Sequence, residues 1–242
     1  MLLCALRGKK MFKKLPQTLL RNRYKLTVFI LMVAASFGSV LLVGARVAYS
    51  DSGRYTQMIW NLFLAWIPFV LAYLTYALSW KRPLVYFVIP IFAFLWLIFF
   101  PNAPYMITDL ENLNDGFGEA PFWYDIMLQN WFSWTGLLLG VVSLYLMQEV
   151  VKKVFGKIFG WLFVFTVSLL SSVGVYLGRF LRFNSWDVWQ NPIEVLRDSY
   201  HLLRAMRPGT IGFVGLFTAF FLTVYLTLYA FGHLLQEQNQ IE

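Results

Sequence analysis

The chain is 242 residues long, 59% hydrophobic and only 13% charged, with a net charge of +8 and a mean hydropathy of +0.61. The charged share is about half that of an ordinary soluble domain, so the composition excludes a soluble globular domain of this length. A single cysteine, Cys4, excludes an internal disulfide.

Residues 1–25 form a basic N-terminus with eight Lys and Arg (Arg7, Lys9, Lys10, Lys13, Lys14, Arg21, Arg23, Lys25). Its first ten residues carry little structural signal, and Met11 would serve as a start as well as Met1. The charge reads as a topology signal lying against anionic lipid, and no nucleic-acid partner is expected. Uncharged runs then occupy residues 26–45, 59–80, 84–100, 126–148, 158–178 and 210–232. Each approaches the roughly 20 residues that a helix needs to cross the hydrocarbon core. None alternates apolar and polar residues as a spanning strand would. The first run is longer than the apolar core of a cleaved signal, about 7–15 residues, and is read as a span. The third is the shortest and contains Pro90. The expected fold is all-α: a polytopic integral membrane bundle of six transmembrane helices. It forms one domain over residues 26–232, followed by a short tail at 233–242.

Three of these segments carry small or polar residues at helical spacing. They are Asn61, Ala65, Pro68 and Ala72; Asp125, Gln129, Ser133, Gly136 and Gly140; and Ser168, Ser171, Gly174, Gly178 and Arg182. In lipid, small residues let backbones approach, and hydroxyls and amides bond across helices. The stripes are therefore expected to face one another, and Arg182, which continues the last, to point into the bundle. Trp60, Trp80, Trp123, Trp131 and Trp161 lie near segment ends, as in an interfacial aromatic belt.

Between the third and fourth runs, residues 101–125 hold five of the twelve acids and no Lys or Arg. Pro101 and Pro104 end the third helix, leaving Asn102, Tyr105, Thr108 and Asp109 where hydrocarbon gives way to water. Broken backbone at that depth requires surrounding protein or a wet cavity. Two readings stay open: a cavity lining, or a helix stop whose polar side chains satisfy loose backbone groups. Asp125 opens the fourth helix, where the helix dipole favours an acid. After the fifth run, Arg179, Arg182, Asn184, Ser185 and Asp187 follow within nine residues. A bundle-facing charge at the membrane edge needs a partner or a ligand. Asn191, Pro192 and Glu194 read as an N-cap, a first-turn proline and a capping-box acid. Ile193, Leu196, Tyr200 and Leu203 follow at helical spacing beside Arg197, His201 and Arg204. A short interfacial helix over about 192–206 is predicted.

Lys and Arg near span ends favour the cytoplasm. With both termini cytoplasmic, inner segments hold thirteen and outer loops seven. A multi-pass protein of the cell membrane with the acidic loop outside is expected. The last outer loop runs against this bias with five Arg and no Lys. Arginine grips carboxylate or phosphate with a fork of donors, so the acidic loop and an anionic ligand are both candidate partners.

The chain has only two histidines, His201 and His233, and no His-Glu-x-x-His motif, Gly-x-Ser-x-Gly elbow or Cys–His pair. No cofactor or metal site is expected, although Asp109, Asp125 and Asp187 are the right ligand type for Mg or Mn. The combination of residues 101–110, Trp123-Tyr124-Asp125 and residues 178–187 resembles the domain-of-unknown-function 1361 family. The resemblance spans residues from about 30 to 232. It implies a membrane location and a bacterial source, and it supplies no activity. Three readings follow from the residues. In the first, an outward polar site binds an anionic lipid or lipid-linked group through Arg179, Arg182 and Asn184, with Asp109, Asp125 or Asp187 orienting them or acting as a base. In the second, a structural or partner-binding protein uses its Asp–Arg pairs only to lock the outer loops. The third is a transporter of small solutes or ions, for which no intramembrane charge at mid-depth speaks.

Overall fold

The structure is a computed structural model that describes residues 2–79, 82–110, 119–205 and 208–241, with side chains for residues 26–79, 88–110, 119–201, 204 and 208–234. The basic side chains before residue 26, Trp80, the loop acids Glu111 and Asp115, Leu203 and Arg207 lie outside that set. Among the described residues the chain forms nine helices and no sheet. They are α1 (Leu2–Ser50), α2 (Thr56–Leu78), α3 (Arg82–Phe99), α4 (Asn102–Tyr105), α5 (Phe122–Phe155), α6 (Lys157–Phe180), α7 (Asp187–Gln190), α8 (Pro192–Ala205) and α9 (Pro208–Ile241).

Among the described residues six segments are long and apolar enough to cross a bilayer: Leu26–Ser50, Thr56–Leu78, Val88–Leu110, Phe122–Phe155, Lys157–Phe180 and Pro208–Leu234. The protein is a multi-pass, all-α membrane protein. Large apolar side chains such as Phe63, Tyr73, Trp134, Leu162 and Leu216 point outward, where lipid replaces water as solvent. The end at which α1 finishes is called distal below, and the opposite end proximal.

α5 is the central helix and packs against α1, α2, α4, α6 and α9. Its buried face carries Asp125, Gln129, Ser133, Gly136, Gly140, Ser143 and Gln148. Ser143 ties three helices: the Trp96 indole donates to its Oγ at 2.6 Å, and it donates to the Pro68 carbonyl at 3.1 Å. α9 is fastened by Thr218 to Ser172 at 2.8 Å and by Tyr225 to Gln148 at 2.6 Å. At the proximal end Lys152 donates to Glu149 and Tyr229. Gly156, at φ 98, makes the turn from α5 into α6.

The third span stops where its prolines predict. Pro101 has no N–H to continue the ladder, and α3 ends at Phe99. The Asn102 side-chain amide donates to the Phe99 carbonyl at 2.9 Å, and the Tyr105 N–H to the Pro101 carbonyl at 3.0 Å. The turn of α4 and a 3₁₀ stretch over 106–110 then run inside the bundle, with Phe100, Ala103 and Met106 fully buried.

That broken segment changes what the small-residue stripes do. The glycines of α5 and α6 do not close helix against helix; they receive residues 101–106. A Cβ at Gly136 would lie 2.7 Å from the Ala103 carbonyl oxygen, and one at Gly174 would lie 2.7 Å from Pro101 Cγ. Gly140 faces Ala103 Cβ at 3.3 Å by the same measure. The stripes mark a close backbone approach, but the approaching chain is the single turn of α4 with its flanking residues and not a long helix. α8 forms with its N-terminus as predicted and its apolar Ile193, Leu196 and Tyr200 exposed. α7 is held against α2 and α3 by Trp186 on Trp60 and Trp189 on Phe94, with ring centroids 6.5 and 6.0 Å apart.

Candidate interfacial polar site

Among the described residues two buried ion pairs occupy the distal end: Asp109–Arg179 joins the acidic loop to the arginine-rich segment, as charge counting suggests, whereas Arg46–Asp125 is a pair it does not suggest. Asp125 lies in the first turn of α5 yet makes no cap: Pro121 is the N-cap, without a side-chain bond. The Asp125 carboxylate instead accepts from Arg46 at 2.7 Å through Nε and 3.1 Å through Nη2. This is the bidentate fork geometry that makes Arg–carboxylate pairs strong. Both side chains are essentially inaccessible, at 0% and 2%. Arg46 follows directly on the first apolar run and reads as a loop cation in sequence. In the structure it is buried within α1, one turn before that helix ends at Ser50.

The Arg46 guanidinium also sits 4.7 Å over the Tyr55 ring, and the Tyr55 hydroxyl reaches Asp125 at 3.4 Å. Tyr55 holds a left-handed backbone, φ 67. A non-glycine residue there is strained by about 1–3 kcal/mol and persists only where its surroundings over-determine it. Burial, reinforced by the Asp125 charge, pushes the Tyr55 hydroxyl above its usual value, so it stays a protonated donor. Glu119 closes the rim, 3.3 Å from Arg46 and 3.4 Å from Arg54. A hydrogen bond from Ser52, with help from both arginines, holds its carboxyl below the usual range.

The second centre is Asp109, 3% exposed at the end of the 3₁₀ stretch. It accepts from the Asn61 amide of α2 at 3.0 Å and pairs with Arg179, in the last turn of α6, at 3.4 Å. Nearby, Asn102 donates to Ser185 at 2.7 Å, which fastens the loop after α6 onto the broken segment. Thr108 donates to the Tyr105 carbonyl at 2.7 Å. The Tyr105 ring lies 3.4 Å from where a Cβ of Gly178 would stand.

Arg182 departs from expectation. α6 ends at Phe180, so the small-residue stripe does not reach residue 182. Arg182 is exposed, at φ 60, and makes no ion pair with a described residue. Asn184 is exposed, and its N–H donates to Asp187 at 2.6 Å, which shapes the loop entering α7. Asp109, Asp125 and Asp187 are thus committed to three different partners. Among the described residues no group of three His, Cys, Asp or Glu side chains converges to hold a metal ion.

Sequence reasoning brings Asp109 and Arg179 to the same cap and misses Arg46, Tyr55 and Glu119. The signal for Arg46 is that it follows the uncharged run 26–45 directly. The model of a protein family of unknown function, DUF1361, matches residues 60–224 of the chain. The chain belongs to that family. No curated protein and no solved structure matches it.

Proposed function

We propose that this protein is an outward-facing receptor for an anionic group at the membrane interface, a lipid headgroup phosphate or a lipid-linked phosphate. Arg182 is the leading contact, with Arg179 behind it and Asn184 beside it. The observation that carries the reading is the division of the distal arginines. Arg46 and Arg179 are paired with buried carboxylates, whereas Arg182 is exposed without one and held on a strained left-handed backbone. Arg197 and Arg204 on α8 are exposed on the same loop and add positive charge without a carboxylate partner among the described residues. In this reading Asp109 orients Arg179, and Asp187 shapes the loop through Asn184. No reaction is assigned.

The test uses Arg182→Gly, because glycine accepts φ 60 without strain while losing the guanidinium. The variant is expected to melt at or above the wild-type temperature. It should also lose phosphatidylglycerol several-fold in native mass spectrometry of protein released from mixed-lipid nanodiscs. Unchanged phosphatidylglycerol retention in the folded variant would overturn the reading.

A second reading, that the distal Asp–Arg pairs only lock the loops, is favoured by the complete burial of Arg46 against Asp125. Charge reversal of the pair that includes a proposed contact (Asp109→Arg with Arg179→Asp) discriminates. Rescue of folding together with unchanged lipid retention supports a lock alone. A transport reading has less support, because Ala103, Pro104 and Met106 pack apolar groups against Gly136 and Gly140 and interrupt the polar face of α5.

A further inference from the structure

Gln129 is fully buried; its amide oxygen has no hydrogen-bond partner, and its amide nitrogen has none but the nearby Tyr55 hydroxyl. A buried amide left with most of its hydrogen-bonding capacity unused is rare in a native fold and points to a bound molecule. Its position says where. On α5 it lies one turn from Asp125 and one turn from Ser133, on the same buried face. Ser133 donates to the Met106 carbonyl at 3.0 Å. From Met106 the 3₁₀ stretch reaches Asp109 in three residues, a rise of about 6 Å at roughly 2 Å each. From Ser133 back to Gln129 is one α-turn, about 5–6 Å. The two segments run alongside each other with opposite numbering: Ala103 meets Gly140 and Met106 meets Gly136. Asp109 is therefore level with Gln129, one turn inward of Asp125. Gln129 also approaches the Tyr55 hydroxyl, which itself contacts Asp125.

We infer a buried binding position for water between the two ion pairs, with the Gln129 amide as its anchor. The charges argue for a neutral occupant. Asp125 and Asp109 are each balanced by an arginine, Arg46 and Arg179, so the position has no net charge to attract an ion. The Gln129 amide offers one acceptor and two donors, the complement of a water molecule. Asp109 and Tyr55 supply further partners of the two to four that a buried water needs. Such a water joins Arg46–Asp125 and Arg179–Asp109 into one network, so that a change beside the lipid-facing loop is felt under the α1–α2 turn. The inference is independent of the Arg182 reading, because it uses neither Arg182 nor an external anion.

Synchrotron hydroxyl-radical footprinting in nanodiscs tests it, since radicals formed from bound water label buried neighbours. Tyr55 and Trp96 are both 0% exposed and both belong to apolar clusters, and of the two it is Tyr55 whose hydroxyl lies beside Gln129. Tyr55 is expected to be oxidised at least several-fold faster than Trp96, and Gln129→Leu is expected to bring it down to the Trp96 rate. Equal rates for the two side chains in the wild-type protein would overturn the inference without any variant. So would a Gln129→Leu protein that melts higher with Tyr55 labelling unchanged, the mark of a dry, orphaned amide. A third readout is coupling: the melting-temperature shifts of Asp109→Asn and Asp125→Asn should be non-additive in the wild-type background and additive in the Gln129→Leu background. Additivity in both backgrounds counts against the network.

Discussion

Arg46 and Asp125 show how a charge survives at the edge of a bilayer. A buried ion pair adds little over an apolar pair of the same shape, but half of one is costly, because the remaining charge is left desolvated. Asp125→Asn is therefore expected to destabilise the protein by about 3–5 kcal/mol. Arg46→Leu should cost a similar amount, and Arg46→Leu with Asp125→Leu far less than the sum. Thermal or denaturant unfolding of the wild type, the single variants and the double variant, treated as a double-mutant cycle, measures the coupling. Glu119 makes a different prediction, because it is part-exposed at 37% and its carboxyl is depressed by Ser52, Arg46 and Arg54. A depressed acid contributes stability above its unfolded value, near 4.5, and loses it as pH falls through the lower folded value. The tie between Glu119 and the turn after α1 should therefore persist at pH 6 and open below about pH 4. Proteolysis within residues 51–54 should rise on acidification in the wild type. It should already be raised at pH 6 in Glu119→Gln, with a smaller further increase.

At the scale of elements, the broken third span depends on room made by glycine. Gly136→Ala would drive a Cβ to 2.7 Å from the Ala103 carbonyl oxygen, and Gly174→Ala would press Pro101. Each is expected to destabilise by about 1–3 kcal/mol, the usual cost of overpacking a close-packed interior. Gly212→Ala, on α9 with nothing within 4 Å, should be neutral or slightly stabilising; equal effects at all three sites would mean that the segment is not cradled. The positions of these elements are legible from sequence because an apolar run of about 20 residues has few other uses. Pro101 and Pro192 mark ends that the backbone respects, since a missing N–H acts locally. The partners are not legible. Arg46 and Asp125 are 79 residues apart, and nothing local in either distinguishes a buried fork from a loop cation and a helix cap. The stripes that hold Gly136 and Gly140 on α5 and Gly174 on α6 announce a close approach without saying whether a long helix or a short turn makes it. Arg182 is misplaced by sequence for a related reason: helical periodicity extends two residues past the point where α6 stops at Phe180.

For the whole molecule, the decisive quantity is which end faces out, because the anionic-group reading places Arg182 outside. Thirteen Lys and Arg in the segments assigned inside, against seven outside, favour a distal end that faces outward. The distal exceptions now divide into two kinds. Arg46, Arg54 and Arg179 are neutralised by Asp125, Glu119 and Asp109, so they serve the packing of the bundle end. Arg182, Arg197 and Arg204 stand exposed on the α6–α9 connection, where α8 turns Ile193, Leu196 and Tyr200 away from the protein. A helix with that apolar face has its hydrocarbon contact on one side and its basic residues at headgroup level, which is where a phosphate would meet them. The orientation is open to a direct measurement. In a Cys4→Ser background, Gln190→Cys in α7 and Lys157→Cys at the start of α6 place exposed thiols at opposite ends of the bundle. An impermeant maleimide applied to intact cells is expected to label residue 190 and to reach residue 157 only after permeabilisation. The reverse pattern would put Arg182 on the cytoplasmic side. The five-arginine loop would then be an ordinary topology signal, and no outside anion would be needed to account for it.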